Sequence, residues 1–320
     1  MPRFVVTGGA GFIGSHLVEE LLRRGESIRV VDNFATGRRD NVPSGGAGRS
    51  VELVEGDVSN AAVARQAVAG CDFVLHQAAI PSVPRSVADP LASHKANVDG
   101  TLQILLAARD AKVKRLVFAG SSSVYGDTAV LPKREDMRSK PLSPYALQKL
   151  IGEEYCQLFT RLYGLETVTT RYFNVFGPRQ QPGSPYSGVI SLFIDALATG
   201  QPPTIHGDGK QTRDFTYVGD VVQGVLRCCE APGVAGEVLN LANGGRISLL
   251  DLVKSLQIIM RKDIAPTFGP ARAGDVRDSQ ADNVKARKLL GYEPSVSFDE
   301  GLRRTVTWHA AAAAVARAPR

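Results

Sequence analysis

The chain has few of the features that mark secreted or membrane-spanning proteins. Its 320 residues include only four cysteines, Cys71, Cys156, Cys228 and Cys229, with no CxxC motif and no disulfide-framework spacing. We therefore expect reduced, mostly buried thiols and a cytoplasmic location. No apolar run reaches membrane-spanning length, and the N-terminus runs straight into a predicted strand, so we expect neither a membrane segment nor a signal peptide.

The charged residues also lack a nucleic-acid-binding pattern. Lys and Arg outnumber Asp and Glu by 38 to 32, but they are scattered and carry no aromatic-rich motif. The net charge of +6 is better explained by a preference for anionic small molecules or by a basic surface. The length and the 43% hydrophobic content predict one large or two modest globular domains with ample core.

A glycine-rich turn dominates the first 32 residues. Apolar residues 4–6 predict a buried strand, residues 15–24 have helical spacing, and residues 28–31 predict a second strand that ends at Asp32. Gly8, Gly11 and Gly14 fill the turn between the first strand and the helix. The order of strand, glycine-rich turn, helix, strand and acid indicates a dinucleotide-binding βαβ unit.

A physical reason explains why each of these residues suits a dinucleotide site. Gly8 permits a tight turn, Gly11 lets a pyrophosphate approach the backbone, and Gly14 lets the helix pack close to the sheet. The helix N-terminus offers free N–H groups to the phosphates. Asp32 can accept hydrogen bonds from both ribose hydroxyls and would repel a 2′-phosphate, so the expected cofactor is NAD rather than NADP.

The alternation of strands and helices continues to residue 172. Strands are predicted at 51–55, 73–76, 115–119 and 166–172, with helices at 61–69, 91–111 and 145–163 and a loop at 81–90. This order predicts an α/β fold with a doubly wound parallel sheet and ligands at the carboxyl ends of the strands. Asp57 is then placed to accept from the adenine amino group.

The sequence changes character near residue 177. Residues 177–185 are rich in Gly and Pro, and the remainder mixes short helices, short strands and loops. We predict a dinucleotide-binding domain over 1–176 and a smaller substrate-binding domain over 177–320. Residues 218–241, a helix followed by a strand, are expected to return to the first domain.

One predicted helix carries a pair of chemically active side chains. Tyr145 and Lys149 lie four residues apart and therefore share a face of the helix, which Ser143 can cap and Pro144 can begin. Ser121 follows the fifth strand at its carboxyl end. The spacing of Tyr145 and Lys149 is the one that catalysis would need.

Several motifs together resemble the extended short-chain dehydrogenase/reductase family. They are TGGAGFIGSH at 7–16, Ser121 with Tyr145-x-x-x-Lys149, RYFNVFGP at 171–178 and GDGKQTRDF at 207–215. Within that family the chain is most similar to UDP-hexose 4-epimerases. Residues 76–79, 82–86 and 274–282 look like the subgroup that acts on UDP-N-acetylglucosamine.

The resemblance implies an activity. Tyr145, as a phenolate favoured by Lys149 and the positive nicotinamide, would take the proton from the sugar 4-hydroxyl while hydride passes from C4 to NAD. Ser121 would bridge the phenol and the substrate oxygen. The 4-keto sugar would then turn and accept the hydride on its other face.

The resemblance also implies the residues that bind each ligand. The expected NAD contacts are Gly8, Gly11, Phe12, Ile13, Gly14, Asp32, Asn33, Asp57, Val58, Gln77, Ala78, Ala79, Tyr145, Lys149 and Tyr172. The expected UDP-sugar contacts are Ser82, Ser121, Ser123, Tyr145, Asn174, Val189, Ile205, Arg213, Arg272, Asp275 and Ser279. No metal ligand set is expected. Similar proteins commonly pair as homodimers through helices at the positions of 91–111 and 145–163, and a homodimer is expected here; the alternative is that the apolar stripes of these helices face only their own core.

Residues at two sites in the sequence distinguish the expected activity from those of related enzymes. Similar dehydratases and decarboxylases have an acid two or three residues before the tyrosine of the VYG motif, where this chain has Ser122 and Ser123. Ser279 stands where epimerases restricted to UDP-glucose and UDP-galactose have a tyrosine, which leaves room for a 2-acetamido group. A UDP-glucuronate 4-epimerase, with Arg85 or Lys140 meeting the carboxylate, and a catalytically silent NAD-binding protein stay open as alternatives.

Overall fold

The computed structural model describes residues 3–43, 51–180, 188–271 and 276–317. In chain order the elements are β1 (Phe4–Thr7), α1 (Phe12–Arg23), β2 (Ile28–Asp32), β3 (Val51–Glu55), α2 (Ala61–Val68), β4 (Phe73–His76), α3 (Val83–Ala88), α4 (Pro90–His94), α5 (Gly100–Asp110), β5 (Arg115–Ser121), α6 (Pro144–Tyr163), β6 (Glu166–Tyr172), β7 (Val175–Phe176), α7 (Val189–Ala198), β8 (Thr204–His206), β9 (Thr212–Arg213), β10 (Thr216–Tyr217), α8 (Val218–Glu230), β11 (Val238–Leu241), β12 (Ile247–Ser248), α9 (Leu249–Met260), β13 (Thr267–Gly269), α10 (Val284–Leu290) and α11 (Phe298–Arg317).

A parallel sheet forms the centre of the described structure. Its strand order is β11-β6-β5-β4-β1-β2-β3, and every adjacent pair is parallel. The chain runs outward from β1 through β2 to β3 and then returns to β4 on the other side of β1. The carboxyl ends of β1 and β4 therefore border the crevice where a doubly wound sheet binds its ligand. The predicted α/β fold is confirmed.

Helices cover both faces of the sheet, so the central strands β1 and β4 are buried along their whole length. On one face α1 and α8 pack together, and their side chains join those of β1, β2 and β4 in one buried cluster. On the other face α2, α5 and α6 cover the sheet. A further core lies under α7, α9 and β8.

The predicted strands occur at the expected positions, whereas three helical segments differ. Helix α1 begins at Phe12, three residues before the predicted start, with Gly11 as its N-cap. The predicted loop at 81–90 contains α3, because the Ser82 hydroxyl accepts from the Arg85 N–H and Pro84 suits a first helical turn. The expected helix 91–111 is present as α4 and α5, joined by a π-helical segment, Lys95–Asp99.

The segment expected to return to the first domain contacts the central sheet. β11 pairs in parallel with β6, from Val238 opposite Thr169 to Leu241 opposite Tyr172. Helix α8 packs against α1. The division of the chain near residue 177 stays a prediction.

The structure bears on the expectations for the cysteines and for membrane-spanning segments. All four cysteines are free and buried. Among the described residues no helix combines the length and apolarity that crossing a bilayer requires. The outer sides of α3, α4 and α6 expose large apolar side chains, among them Val87, Leu91, Leu147 and Leu162.

Candidate active site

A cavity of about 1080 Å³ opens at the carboxyl ends of the central strands. Every residue predicted to contact the cofactor lines it. The predicted substrate contacts that line it are Ser82, Ser121, Ser123, Tyr145, Asn174, Val189, Arg213 and Ser279. The sequence motifs thus converge on one continuous space large enough for two ligands side by side.

The glycine-rich turn brings α1 unusually close to β1. Gly8 has a φ of +69°, and a Cβ added there would lie 2.8 Å from the backbone of Ala78. A Cβ on Gly14 would lie 2.1 Å from the Gly8 carbonyl oxygen, so only glycine allows this approach. Gly11 caps α1 without a side-chain hydrogen bond, and the first turn of α1 carries no acidic residue. The helix N-terminus therefore keeps its positive character for a phosphate group.

Asp32 lies at the end of β2 with 7% of its surface exposed. Its Oδ2 accepts from the Ala10 N–H at 3.0 Å and its Oδ1 from the Phe34 N–H at 2.8 Å. Burial raises the pKa of this carboxyl, while the two N–H donors oppose the shift. The donors fix both oxygens, and each oxygen keeps a lone pair for a ribose hydroxyl.

The predicted adenine end of the cavity lies at the ends of β2 and β3. Asp57 accepts from the Ser59 N–H at 2.8 Å through Oδ1, and its Oδ2 lies 3.4 Å from the Asn33 side-chain nitrogen. Because the two side chains hold each other, their orientation is set before a ligand arrives. The contact of Asp57 with the adenine amino group stays a prediction.

A buried chain of hydrogen bonds holds the end of β4. His76 Nδ1 lies 2.7 Å from the Thr7 hydroxyl, and its Nε2 lies 3.1 Å from the Thr101 hydroxyl. Thr101 donates to the Asn97 carbonyl, so it must accept from Nε2–H, which makes Nδ1 the acceptor of the Thr7 proton. Burial lowers the pKa of His76 to about 3, which keeps the ring neutral.

The π-helical segment continues this network toward the cavity. Within it the Asn97 amide meets the backbone of Ile80, where Oδ1 accepts from the N–H at 2.8 Å and Nδ2 donates to the carbonyl at 3.3 Å. Asn97 also donates to Gln148 of α6 at 2.9 Å. The strand end that lines the cofactor space is thereby tied to the helix that carries Tyr145.

Gln77 leaves a donor for a ligand. Its Oε1 accepts from the Tyr172 hydroxyl at 3.1 Å, but its Nε2 is buried without a partner in the described structure. A buried, unpaired amide nitrogen costs free energy unless something accepts from it. With the cradle at Gly8 and Gly14 and the carboxylate of Asp32, this orphaned donor fits a dinucleotide such as NAD.

Two serines position the helix that carries the reactive pair. Ser143 caps α6 by accepting from the Ala146 N–H, as predicted. Ser86, buried on α3, accepts from the Tyr145 N–H at 3.0 Å and donates to the Val83 carbonyl at 2.7 Å. The predicted capping is confirmed, and Ser86 adds an anchor at the reactive residue itself.

Lys149 is buried beside β5, with 4% of its surface exposed. Its ammonium donates to the Ala119 carbonyl at 2.8 Å and lies 5.0 Å from the centroid of the Phe118 ring. Burial lowers the pKa of Lys149 to about 8. The group therefore remains mostly cationic at neutral pH and stabilises a nearby negative charge.

Tyr145 is half-buried and faces Ser121. Burial raises the pKa of the phenol, whereas its hydrogen bond with the Ser121 hydroxyl lowers it. Ser121 Oγ lies 2.8 Å from Ser123 Oγ and accepts from the Ser123 N–H at 3.2 Å. A sugar hydroxyl in this position would meet a phenol that can exchange its proton and serines that can orient it.

Two of the residues predicted to contact the diphosphate, Asn174 and Arg213, line the cavity. Arg213 donates to the carbonyls of Thr212 at 2.9 Å and of Arg277 at 3.0 Å. The Ser279 N–H donates to the Thr212 carbonyl at 3.1 Å. Asn174, with a φ of +32°, lies beside Asp214.

Buried Asp214 holds neighbouring loops together. Its carboxylate accepts from the backbone N–H groups of Asn243, Gly244 and Ala281, at distances between 3.0 and 3.2 Å. Burial raises its pKa to about 7. Ala281 lies two residues after Ser279, so Asp214 indirectly fixes the wall that Ser279 belongs to.

Some predicted substrate contacts are not brought to the cavity. Ile205 is fully buried in the core under α7 and α9, because β8 turns that side chain away from the cavity. Arg272 and Asp275 lie outside the described residues. Of the two cations considered for a uronate, Arg85 lines the cavity, whereas Lys140 is exposed and is not part of its lining.

Lys133 is a charged lining residue that the sequence reasoning missed. Lys133 lines the cavity with only 1% of its surface exposed. It stands in the polar stretch Pro-Lys-Arg-Glu-Asp at 132–136, a composition typical of an exposed loop. No spacing or motif signalled its burial. Among the described residues, no group of three His, Cys, Asp or Glu side chains could hold a metal ion.

Comparison with known families identifies the family of this chain. The NAD dependent epimerase/dehydratase family matches residues 4–242, which include β1 through β11. The chain belongs to this family. The match contains the glycine-rich turn, Ser121, the Tyr145–Lys149 pair and Asn174, so the family resemblance expected from the motifs is confirmed.

Known members of the family cover nearly the whole chain. A putative UDP-glucose 4-epimerase of Methanocaldococcus jannaschii is 38% identical over 309 residues, 95% of this chain and 97% of that protein. A UDP-N-acetylglucosamine 4-epimerase of Methanobrevibacter ruminantium, solved with UDP-N-acetylmuramic acid, is 35% identical, covers 97% and 99% of the two chains, and superposes with a TM-score of 0.91. A UDP-glucuronic acid 4-epimerase of Bacillus cereus, solved with UDP-glucuronic acid and NAD, is 33% identical with the same coverage and a TM-score of 0.90.

Replacing Tyr145 with phenylalanine tests the role of the phenol. The ring of Tyr145→Phe still packs, and the cofactor contacts at the glycine-rich turn are untouched, so the variant should fold and retain its NAD. Loss of a general acid/base lowers turnover by ~100- to 10,000-fold. Steady-state rates on a UDP-sugar, with the dinucleotide released by denaturation measured in parallel, would check this. Turnover within a few-fold of the parent would exclude Tyr145 as the proton-transfer group.

Proposed function

We propose that this protein is an NAD-dependent UDP-sugar 4-epimerase that interconverts UDP-N-acetylglucosamine and UDP-N-acetylgalactosamine and also accepts UDP-glucose and UDP-galactose. The observation that carries the epimerase activity is that Ser121, Tyr145 and buried Lys149 line the same cavity as the dinucleotide cradle at Gly8, Gly11 and Gly14. The acetamido preference rests on Ser279, a small side chain on the cavity wall.

The proposed reaction begins with a proton transfer at the sugar. Tyr145 takes the proton from the 4-hydroxyl, and the Ser121 hydroxyl holds the substrate oxygen against the phenol. Lys149 stabilises the phenolate because its ammonium remains positive beside the same helix face. NAD, when bound, supplies the acceptor for the C4 hydride and afterwards returns it.

The second half of the reaction uses the same residues in reverse. The 4-keto sugar turns within the cavity, the hydride returns to its opposite face, and Tyr145 gives its proton back to O4. The overall reaction leaves the redox state unchanged, so no second substrate is needed. A mobile sugar needs the nucleotide to stay anchored, which is the role proposed for Asn174, Arg213, Arg272 and the ribose contact Asp275.

Elimination of water is not expected in this cavity. A 4,6-dehydratase needs an acid/base beside the 6-hydroxyl, and positions 122 and 123 hold serines. Ser123 is already hydrogen-bonded to Ser121 at 2.8 Å. Such a pair can orient a hydroxyl but cannot carry away its proton at neutral pH.

The N-acetyl preference depends on the space beside Ser279. This side chain lines the cavity and is 5% exposed, and its backbone is fixed by the carbonyl of Thr212. A fixed backbone means that the space at position 279 is determined by the size of its side chain. The similar epimerases named above act on, or bind, plain, N-acetylated and uronate UDP-sugars, so they support the reaction more strongly than the choice of sugar.

A UDP-uronate substrate is the second candidate. Arg85 lines the cavity on α3, one helical turn from Ser82, and a guanidinium there could pair with a C6 carboxylate. The similarity to the Bacillus cereus UDP-glucuronic acid 4-epimerase favours the same possibility. Activity on UDP-glucuronate above that on UDP-N-acetylglucosamine would select this alternative.

We also propose a homodimer that buries the outer sides of α4 and α6. Leu91 is 79% exposed, and Leu147 and Leu162 are about half to two thirds exposed, which is unfavourable in water. In a two-fold symmetric dimer, α4 and α6 of each subunit would pack against α4 and α6 of the other and cover these leucines. Sedimentation velocity of the parent and of Leu91→Glu checks this, since a 34.2 kDa species for the parent would contradict a dimer.

Replacing Ser279 tests the acetamido preference directly. In Ser279→Tyr the phenol would fill the space beside C2, so kcat/KM for UDP-N-acetylglucosamine should fall at least ~10-fold more than kcat/KM for UDP-glucose, a difference of ~1.4 kcal/mol. Ser279→Ala, which keeps the side chain small, is the matched control and should retain the preference of the parent.

Two other results for Ser279→Tyr would contradict the acetamido preference. An equal fall on both substrates would mean that the tyrosine only damages the wall. No change on either substrate would put position 279 outside the sugar site, and the N-acetyl assignment would lose its main support.

A further inference from the structure

Lys133 is a buried cation that the reaction described above does not use. It is 1% exposed, it lines the cavity, and its ammonium donates to the Gly126 carbonyl at 3.1 Å. An ammonium has three donors, so this hydrogen bond leaves two of them. A buried lysine is costly unless a partner accepts from it, and burial lowers its pKa to about 8.

The backbone of Lys133 is fixed independently of its side chain. Its N–H donates to the Gln280 carbonyl at 2.7 Å, and its carbonyl accepts from the Asp282 N–H at 2.9 Å and from Asn240 Nδ2 at 3.0 Å. Residue 133 is thus paired beside the strand-like segment that follows Ser279. The ammonium is held at a defined place by backbone contacts that a substitution at 133 would leave intact.

The nearby carboxylates are engaged with other partners. Asp127 and Asp278 are close enough to act on the charge of Lys133, yet neither forms an ion pair with it within the described part of the chain. Asp278 pairs with Arg246 at 3.2 Å and accepts from the Thr212 hydroxyl. Asp127 accepts from the Arg277 N–H at 3.0 Å. Lys133 is therefore a buried cation whose counter-charge is not supplied by these neighbours.

The position of Lys133 along the cavity indicates which part of a ligand it would meet. Ser123 and Gly126 are joined by a backbone hydrogen bond, and Gly126 accepts from Lys133, so Lys133 lies next to the wall of the reacting sugar. Lys133 also lines the same cavity as Arg213, the residue expected to bind the diphosphate, and the two charges lie close enough to interact. The group between a sugar and the rest of a nucleoside diphosphate is the β-phosphate.

We propose that Lys133 binds the β-phosphate of the nucleotide sugar and acts together with Arg213 as a second cation in the diphosphate site. This inference rests on the proposed function, because it assumes a nucleoside diphosphate sugar in the cavity. A phosphate oxygen would accept from the two remaining ammonium donors and supply the missing counter-charge. The contact anchors the nucleotide at the point nearest the sugar, where a firm attachment lets the 4-keto sugar turn without leaving.

The experiment compares UDP with UMP, which differ by the β-phosphate. Binding to the NAD-loaded protein is measured by calorimetry for the parent, Lys133→Met and Lys133→Arg. Lys133→Met removes the charge at similar length and should weaken UDP binding ~10-fold or more while UMP binding stays within about two-fold. Lys133→Arg restores a cation and should recover part of the UDP affinity. Lys140→Met, an exposed lysine outside the cavity, is the matched control and should bind UDP like the parent.

Each other outcome overturns the proposal. Unchanged UDP binding with a loss for UDP-glucuronate alone would assign Lys133 to a sugar carboxylate. Unchanged UDP binding with a loss for UDP-N-acetylglucosamine alone would assign it to the acetamido group. Equal losses for UDP and UMP, or a loss of NAD and a lower melting temperature, would make Lys133 a structural support of Gly126. A parent protein that binds no UDP at all would instead refute the proposed function.

Discussion

The close approach of α1 to β1 is the constraint on which the rest of the site depends. The Gly8 carbonyl lies where a Cβ of Gly14 would be, so the first turn of α1 can sit directly over the end of β1. That position aims the helix N-terminus into the crevice between β1 and β4. Asp32 on β2 and Gln77 after β4 flank the same crevice, because the parallel register brings the carboxyl ends of these strands to one edge.

Hydrogen bonds between buried polar groups then fix the helix that carries Tyr145 relative to the glycine-rich turn. The neutral His76 ring links Thr7 of β1 to Thr101 of α5, and Asn97 in the π-helical segment links the backbone of Ile80 to Gln148 of α6. A buried network of this kind is stabilising only when every member is satisfied, which leaves few alternative arrangements. The dinucleotide cradle and the Tyr145 helix are therefore held in one fixed relation.

Local patterns in the sequence predicted the elements and the cofactor side of the site. Apolar runs marked the central strands, and the spacing of Gly8, Gly11 and Gly14 before Asp32 identified the cradle, since these effects act between residues close in the chain. The helical spacing of Tyr145 and Lys149 worked for the same reason. Ser143 was recognisable because capping depends on one side chain and its next three residues.

The substrate side was harder because it is assembled by contacts between distant loops. Lys133 is buried only because residues 280–282 pair with its backbone, and nothing within residues 127–140 encodes that contact. Ile205 was expected to wall the nucleotide site, but β8 packs its side chain under α7 and α9 instead. Helix α3 was missed since its signal is one serine cap, Ser82, within a stretch rich in Pro and Ser.

The central claim is that hydride leaves C4 of the sugar and returns to the same carbon. The most direct test uses a UDP-N-acetylglucosamine carrying deuterium at C4, incubated with the protein in ordinary water until the two C4 epimers equilibrate. Mass spectrometry and NMR of the recovered sugars locate the label. The account predicts that both epimers retain deuterium at C4, because the hydride never exchanges with solvent. Epimerisation with loss of deuterium to water would contradict it, since C4 would then have exchanged a proton instead of a hydride.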